Sequence, residues 1–174
     1  MFNVFNMFKN ICVVVSIILL DQVSKLYVLQ ELSWNETLTI IDTKFFGLNL
    51  FLTYNTGAAF GLLHNSSGWQ NYLFLIIALS AASCILYLLI KNKINNVLEK
   101  IALLLILGGC IGNLLDRIMY GYVIDFIDVY IKNFHWYTFN VADSAICIAI
   151  MLLMFNWLCL SSTCLSHVTH DSKQ

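Results

Sequence analysis

The 174-residue sequence contains no proline and few charged side chains. Asp, Glu, Lys and Arg make up 11% of the chain, hydrophobic residues make up 60%, and the mean hydropathy is +0.79. Because a soluble domain carries about 25% charged residues, this composition excludes an ordinary water-soluble fold and predicts a membrane protein. No Pro/Gly/Ser-rich stretch divides the chain, so we treat residues 1–174 as one domain.

Patterns for nucleic-acid and metal binding are also missing. The net charge is −1 and the nine Lys and Arg residues are scattered, without the basic stripe that nucleic-acid binding requires. The six cysteines form no CxxC pair, and the four histidines show no HExxH spacing. The sequence therefore predicts no nucleic-acid partner, no metal site and no cofactor.

Four apolar stretches are long enough to cross a bilayer, which requires about 20 residues for about 30 Å of hydrocarbon. They are Ile11–Leu29, Trp69–Ile90, Ile101–Met119 and Phe139–Leu160. No small-x-small cleavage site follows the first apolar run, so it is interpreted as a helix and not as a cleaved signal peptide. These stretches predict an all-α membrane protein with four transmembrane helices.

Charge in the short loop between the second and third spans indicates the topology. Lys91, Lys93 and Lys100 place this loop in the cytoplasm by the positive-inside rule, so both termini are expected there as well. Two segments then face outward, at about 30–68 and 120–138. The longer one contains strand-like stretches at Leu38–Ile41 and Phe45–Thr53, which predict a small extracytoplasmic β-sheet.

Unusual polar residues collect at the outer ends of the spans and in the outer segments. A single polar residue at a helix end commonly snorkels to the interface. Neighbouring opposite charges, such as Asp21 with Lys25 or Asp116 with Arg117, can also be structural ion pairs. Neither interpretation explains why so many polar residues share one depth: Asp21, Asn55, Asn113, Asp116, Arg117, Asp125, Asp128, Asn140 and Asp143.

Among the possible catalytic arrangements, a pair of carboxylates is the one for which the sequence offers the best candidate residues. The histidines have no obvious serine partner, and Ser24 and Lys25 are adjacent on a helix and therefore point apart. Two close carboxylates share a proton, so one activates water while the other donates to a carbonyl. Asp125, between apolar neighbours, and Asp143, at the start of a span, are the predicted pair.

The other two candidate acids fit this chemistry less well. Asp116 lies next to Arg117, which is expected to keep it ionised and makes it a supporting residue. Asp128 is expected nearer the exposed part of the outer loop. The chain also contains a GxxxG motif at Gly108 and Gly112, for which close helix packing is the expected role.

These residues lie in motifs that closely resemble those of the lipoprotein signal peptidases, the type II signal peptidases of bacterial inner membranes. Five motifs occur in the order and spacing of that family on a four-span scaffold. They are DQVSK at Asp21–Lys25, NTGAAFG at Asn55–Gly61, GGCIGNLLDR at Gly108–Arg117, VIDFIDV at Val123–Val129 and FNVADSA at Phe139–Ala145. The chain departs from many relatives at residues 136–138, where it lacks a proline.

The resemblance implies a membrane aspartic endopeptidase that removes signal peptides from diacylglyceryl-modified prolipoproteins, cutting just before the lipidated cysteine. It implies Asp125 and Asp143 as the catalytic pair and Asp21 and Lys25 as supporting residues. It further implies four substrate-binding residues, which are Asn55, Asn113, Arg117 and Asn140.

The expected partners are prolipoprotein substrates, membrane lipid and inhibitors of the globomycin type. The expected location is the bacterial inner membrane, with the active site at its extracytoplasmic face. A proton-coupled transporter or channel is the main alternative, but its path should place polar residues at several depths, and the second span is uncharged. A non-catalytic scaffold protein is the other alternative, and it would tolerate Asp125→Asn and Asp143→Asn.

Overall fold

A computed structural model describes residues 4–57, 69–91, 94 and 96–171. Within these residues the chain forms four helices and four strands. In chain order they are α1 (Val4–Glu31), β1 (Thr37–Asp42), β2 (Phe46–Asn55), α2 (Trp69–Ile90), α3 (Val97–Tyr120), β3 (Val123–Ile131), β4 (Phe134–His135) and α4 (Val141–Asp171).

All four helices are long and apolar enough to cross a membrane, as the sequence predicts. The helices α1, α3 and α4 extend beyond the apolar stretches identified in the sequence. Large apolar side chains such as Leu20 on α1, Ile76 on α2 and Met154 on α4 are at least 60% exposed. In water this exposure would be unfavourable, whereas in a bilayer these side chains contact lipid.

Helix α3 lies at the centre of the bundle and contacts α1, α2 and α4. Its glycines permit the close approach. A Cβ on Gly108 would lie 2.9 Å from Cβ of Ile17, and one on Gly112 would lie 2.7 Å from Oδ2 of Asp21. The GxxxG motif therefore packs α3 against α1, as predicted. Gly109 faces the other way, towards the carbonyl oxygen of Ala142 in α4.

The strands form one antiparallel sheet in the order β1-β2-β3-β4. The two strands expected in the longer outer segment are present as β1 and β2. Strand β3 differs from the expectation from sequence, which is an outer loop over residues 120–138. Aspartates three residues apart, Asp125 and Asp128, interrupt the alternation that marks a half-buried strand. The strand forms because it pairs with β2, which is distant in sequence.

The sheet packs on the C-terminal end of α1. Val28 of α1 and Leu32, the residue after the helix, form a buried cluster with Leu52 of β2 and with Ile124 and Phe126 of β3. The last turn of α3 ends at Gly121, whose φ of 80° is left-handed and favours glycine. Strand β3 begins two residues later. The first residues of β3 therefore lie directly beside the helix ends.

We expect Gly109→Ala to destabilise the fold by about 1–3 kcal/mol, because overpacking a tight helix contact forces backbone shifts. The added Cβ would lie 2.5 Å from the carbonyl oxygen of Ala142, which is backbone and cannot move aside cheaply. Thermal unfolding in detergent measures the effect. Ile118→Ala, at a 64% exposed position of the same helix, is the control and should change the midpoint little. A Gly109→Ala midpoint equal to that of the wild type would contradict the tight α3–α4 contact.

Candidate active site

The first turn of α4 holds Asp143 in a defined orientation. Asn140 caps this helix, since its Oδ1 accepts a hydrogen bond from the backbone N–H of Asp143 at 2.9 Å. In return, the Asn140 backbone N–H donates to Oδ2 of Asp143 at 3.3 Å. This reciprocal arrangement is a capping box, and a helix N-terminus favours negative charge. The cap thus both fixes and stabilises the Asp143 carboxylate.

Asp125 lies on β3 and is only 1% exposed. Its Oδ1 accepts a hydrogen bond from Nδ2 of Asn140 at 2.7 Å, and its Oδ2 accepts one from Nδ2 of Asn55 at 2.9 Å. Burial and the nearby Asp143 carboxylate raise the pKa of Asp125 to about 7, although the two asparagine hydrogen bonds oppose the shift. The carboxylate pair therefore retains a proton up to near neutral pH.

Asn140 connects the two carboxylates, because its side chain binds Asp125 while its backbone binds Asp143. Asn113 of α3 completes the arrangement, and its Nδ2 donates to Oδ1 of Asp143 at 2.7 Å. The Oδ1 of Asn113 accepts hydrogen bonds from Asn140 at 3.1 Å and from Lys25 at 3.2 Å. Two acids far apart in sequence are thus brought to one point.

A buried ion triad, formed by Asp21, Lys25 and Asp116, lies next to Asn113. The ammonium of Lys25 is 2.7 Å from Oδ2 of Asp21 and 2.7 Å from Oδ2 of Asp116. Asp21 also accepts the backbone N–H of Ala142 at 2.9 Å, and Asp116 accepts that of Ile124 at 3.1 Å. The triad therefore joins α1 and α3 to the starts of α4 and β3, which carry Asp143 and Asp125.

This geometry suits acid–base chemistry at an amide. Two neighbouring carboxylates cannot both ionise easily and so share one proton. The ionised carboxylate can activate a water molecule, and the protonated one can donate to a carbonyl oxygen. In the part of the chain that the structure describes, no group of three His, Cys, Asp or Glu side chains is arranged to hold a metal ion.

Comparison with known proteins identifies the family of this chain. The family model described as "Signal peptidase (SPase) II" matches residues 13–159, which is most of the chain. This chain belongs to the signal peptidase II family. The resemblance seen in the motifs is therefore confirmed, and it extends from α1 into α4.

Curated relatives of this signal peptidase II chain are named lipoprotein signal peptidase. One from Janthinobacterium sp. (strain Marseille) is 47% identical over 142 residues, covering 82% of this chain and 83% of the relative. One from Klebsiella aerogenes is 40% identical over 164 residues, covering 90% and 97%. A solved structure, described as a bacterial membrane enzyme at 2.3 Å resolution, superposes with a TM-score of 0.77. It is 30% identical, and the match covers 89% of this chain and 90% of that one.

The partner of Asp116 in this signal peptidase II chain differs from the one expected. The sequence suggested the adjacent Arg117, but Asp116 pairs with Lys25. Adjacent residues on a helix point about 100° apart, so neighbours in sequence do not face each other. The guanidinium of Arg117 lies 5.5 Å from the centre of the Phe74 ring and 3.4 Å from the carbonyl oxygen of Gly57.

Asp128 was expected near the exposed part of a loop, and that expectation is wrong. It is only 6% exposed, because β3 pairs with β2 and places Asp128 opposite Asn49. Nδ2 of Asn49 donates to its carboxylate at 2.8 Å, and Nδ1 of His135 lies 2.9 Å away. Asp128 therefore belongs to a second buried polar cluster in the sheet.

The sequence reasoning missed Gln22 as a supporting residue. Its Nε2 donates to Oδ1 of Asp116 at 2.9 Å and to the carbonyl oxygen of Gly112 at 3.2 Å. The sequence does contain a signal for this role. A polar amide directly after Asp21, inside an apolar span, needs a hydrogen-bond partner within the protein because lipid offers none.

We expect Lys25→Met to destabilise the protein by about 3–5 kcal/mol, because it leaves two buried carboxylates without their shared cation. Denaturant or thermal unfolding in detergent measures this loss. Lys44→Met, at an exposed position in the turn between β1 and β2, is the matched control and should have little effect. Adding Asp21→Asn and Asp116→Asn to Lys25→Met should recover part of the stability. Equal unfolding midpoints for Lys25→Met and Lys44→Met would show that the triad contributes little.

Two substitutions should shift the pKa of Asp125 in opposite directions. Asp143→Asn removes a neighbouring negative charge and should lower the pKa of Asp125, since that charge raises it. Asn55→Leu removes a hydrogen bond to the ionised form and should raise it. The infrared carboxyl stretch of Asp125, followed across a pH titration, measures both shifts. Shifts of the same sign would contradict this electrostatic account.

Proposed function

We propose that Asp125 and Asp143 are the catalytic pair of this peptidase and hydrolyse the signal-peptide bond of diacylglyceryl-modified prolipoproteins, just before the lipidated cysteine. A member of the signal peptidase II family is a peptidase that removes signal peptides from prolipoproteins. The observation that carries the proposal is the position of Asn140, which binds both carboxylates and caps α4.

In the proposed mechanism the pair begins with one shared proton. The ionised carboxylate removes a proton from water, which attacks the scissile carbonyl carbon, while the protonated carboxyl donates to the carbonyl oxygen. Collapse of the tetrahedral diol breaks the C–N bond: one hydroxyl returns its proton to the carboxylate that protonated the carbonyl oxygen, and the proton taken from water passes to the leaving amine. Both products then leave, and the pair again holds one proton.

The three asparagines of the site are proposed to orient the pair and to contact the substrate. In the free protein their amides are occupied by the carboxylates: Asn55 and Asn140 bind Asp125, and Asn113 binds Asp143. Arg117 differs from these asparagines in its hydrogen bonding, since its buried Nε has no partner among the described residues. An unpaired buried donor favours a substrate carbonyl as its partner, so Arg117 is proposed to bind the peptide backbone.

The depth of the site fits a substrate anchored in lipid. Asp125 and Asp143 lie where strand and loop meet the ends of apolar helices, so acyl chains can remain in the bilayer while the peptide reaches the carboxylates. The proposed face is the extracytoplasmic side of the bacterial inner membrane, with both termini in the cytoplasm. Lys91 directly follows α2 and Lys100 lies in the first turn of α3, at the helix ends opposite the site, and the positive-inside rule favours this orientation. Inhibitors of the globomycin type are proposed to occupy the same site.

Cleavage of a synthetic diacylglyceryl-modified prolipoprotein by the purified protein in detergent tests the proposal. Asp125→Asn and Asp143→Asn should each lower the rate by about 10²- to 10⁴-fold, the usual contribution of a general acid or base. Asp42→Asn, an exposed acid on β1, is the matched control and should cleave at the wild-type rate. Wild-type cleavage should continue when a chelator is present. Wild-type rates in the two site variants would support the scaffold interpretation instead.

The pH dependence of cleavage should report the proton held by the pair. Since the pKa of Asp125 is raised to about 7, the singly protonated pair persists to near neutral pH and is lost above it. The rate should therefore fall as the pH rises beyond about 7. Initial rates from pH 5 to 9, at substrate concentrations well below KM, give kcat/KM and so measure this loss of activity for the free enzyme. A rate that climbs steadily to pH 9 would indicate that no shared proton is needed.

A further inference from the structure

The sheet has one polar face and one apolar face. Residues that pair across neighbouring strands lie on the same face, and successive residues of a strand alternate between the two faces. By this register Thr39, Asn49 and Asp128 share the polar face. The opposite face, which we call the apolar face, carries only hydrophobic side chains from the Leu50–Ile127 pair to the far end of the sheet. They are Leu38, Ile41, Phe46, Leu48, Leu50, Ile127, Val129 and Ile131.

Most of the apolar face is uncovered in the part of the chain that the structure describes. Within that part, only Leu50 and Ile127 of this face pack against the buried cluster around Val28. An exposed and contiguous apolar patch marks a site of interaction with a protein or a membrane. Four side chains of the face are exposed by more than 40%: Ile131 by 61%, Leu38 by 46%, and Ile41 and Phe46 by 42% each.

The apolar face is turned towards the helix bundle where β3 begins. Asp125 lies two residues before Ile127 on this strand, so its side chain projects from the apolar face. Its carboxylate accepts a hydrogen bond from Nδ2 of Asn140, the residue that caps α4. The start of α4 therefore lies on the same side of the sheet as the apolar face.

The polar face is directed away from the bundle. Ile124 and Phe126, which project from that face of β3, pack on Val28 near the end of α1. Val28 is seven residues beyond Asp21, or about 10 Å along the helix. Because Asp21 accepts the backbone N–H of Ala142, it lies level with the first turn of α4. Helix α1 thus extends past the start of α4 to the outer side of the sheet, and the apolar face is directed towards the bilayer.

Two lysines lie at the far end of the sheet. There the turn after β1 meets the turn after β3, and the backbone N–H of Lys132 donates to the carbonyl oxygen of Phe45 at 3.1 Å. The ammoniums of Lys44 and Lys132 lie 5.8 and 5.9 Å from the centre of the exposed Phe45 ring. Neither ammonium has an ion-pair partner among the described residues. Asp42, the nearest acid in sequence, lies on the polar face and accepts the hydroxyl of Tyr130.

A phospholipid leaflet complements this surface. Its acyl region accepts apolar side chains, its headgroup region accommodates aromatic rings, and its phosphates attract lysines that extend from an apolar surface. We propose that the apolar face rests on the leaflet next to the site and that Lys44 and Lys132 bind the phosphates of anionic phospholipids there. This contact holds β3, and with it the Asp125 side chain, at the level of the helix ends. It is independent of which residues are catalytic.

Photo-cross-linking in vesicles tests which face of the sheet meets lipid. Photoreactive p-benzoylphenylalanine replaces Phe46 or Ile131 on the apolar face, or Thr39 on the polar face as the matched control. All three positions are exposed, so the replacements leave the core intact, and the unfolding midpoint in detergent checks this. The vesicles contain equal parts phosphatidylglycerol and phosphatidylcholine. After irradiation, mass spectrometry should find phospholipid adducts at Phe46 and Ile131 and none above the unirradiated background at Thr39.

The ratio of the two lipids in the adducts tests the lysines. The adducts at Ile131 should favour phosphatidylglycerol at least about fivefold, the preference expected from one lysine near an anionic surface. High salt should reduce this preference, and the Lys44→Gln/Lys132→Gln double variant should bring the ratio to one. Lys91→Gln is the matched control and should keep the preference. Its ammonium also lies close to an aromatic ring, 5.7 Å from the centre of Tyr87, but at the other end of α2 from the site.

Three outcomes would overturn the proposal. Equal adduct yields at Thr39 and Phe46 would show that the sheet does not rest on the leaflet by its apolar face. Cross-links to a second copy of the chain in place of lipid would identify the face as a contact between copies. A preference for phosphatidylglycerol that survives in the double variant would show that Lys44 and Lys132 do not bind the phosphates. Because no substrate is present in these measurements, each outcome is distinct from a failure of the proposed catalytic function.

Discussion

The ammonium of Lys25, held between the carboxylates of Asp21 and Asp116, is the interaction on which the other parts of the site depend. These charges are almost fully buried within an apolar bundle, where an unpaired one would cost several kcal/mol. Each carboxylate also accepts a backbone N–H, from the first turn of α4 or from the start of β3. The electrostatic requirement to pair these charges thereby fixes the positions of the two segments that carry the catalytic candidates.

Small residues make this arrangement sterically possible. The absence of a side chain at Gly112 leaves room for the Asp21 carboxylate at the contact between α1 and α3. Gly109 allows the first turn of α4 to approach α3 from another side. In lipid, helix association depends on close packing and on satisfied polar groups, since apolar side chains gain little by leaving the hydrocarbon. The bundle uses both sources of stability at the same depth.

Asn140 links the ion triad, through Asn113, to the two candidate carboxylates. One amide side chain caps a helix and binds the carboxylate of Asp125, while its backbone binds Asp143. The two acids consequently share a buried setting in which repulsion and desolvation favour a common proton.

The sequence alone determined the class of protein and the number of spans, and it predicted the pair of acids. Apolar runs long enough to cross a bilayer form helices, because in lipid their backbone groups must be hydrogen-bonded within the segment. Polar residues at one depth are conspicuous within such runs. The pairing of Asp21 with Lys25 also followed from helical spacing. What only the tertiary structure decided depends on contacts distant in sequence. Strand β3, the burial of Asp128 and the pairing of Asp116 with Lys25 all arise from partners on other elements. The meeting of Asp125 and Asp143 through Asn140 has the same origin, because periodicity along one segment carries no information about which segment lies opposite.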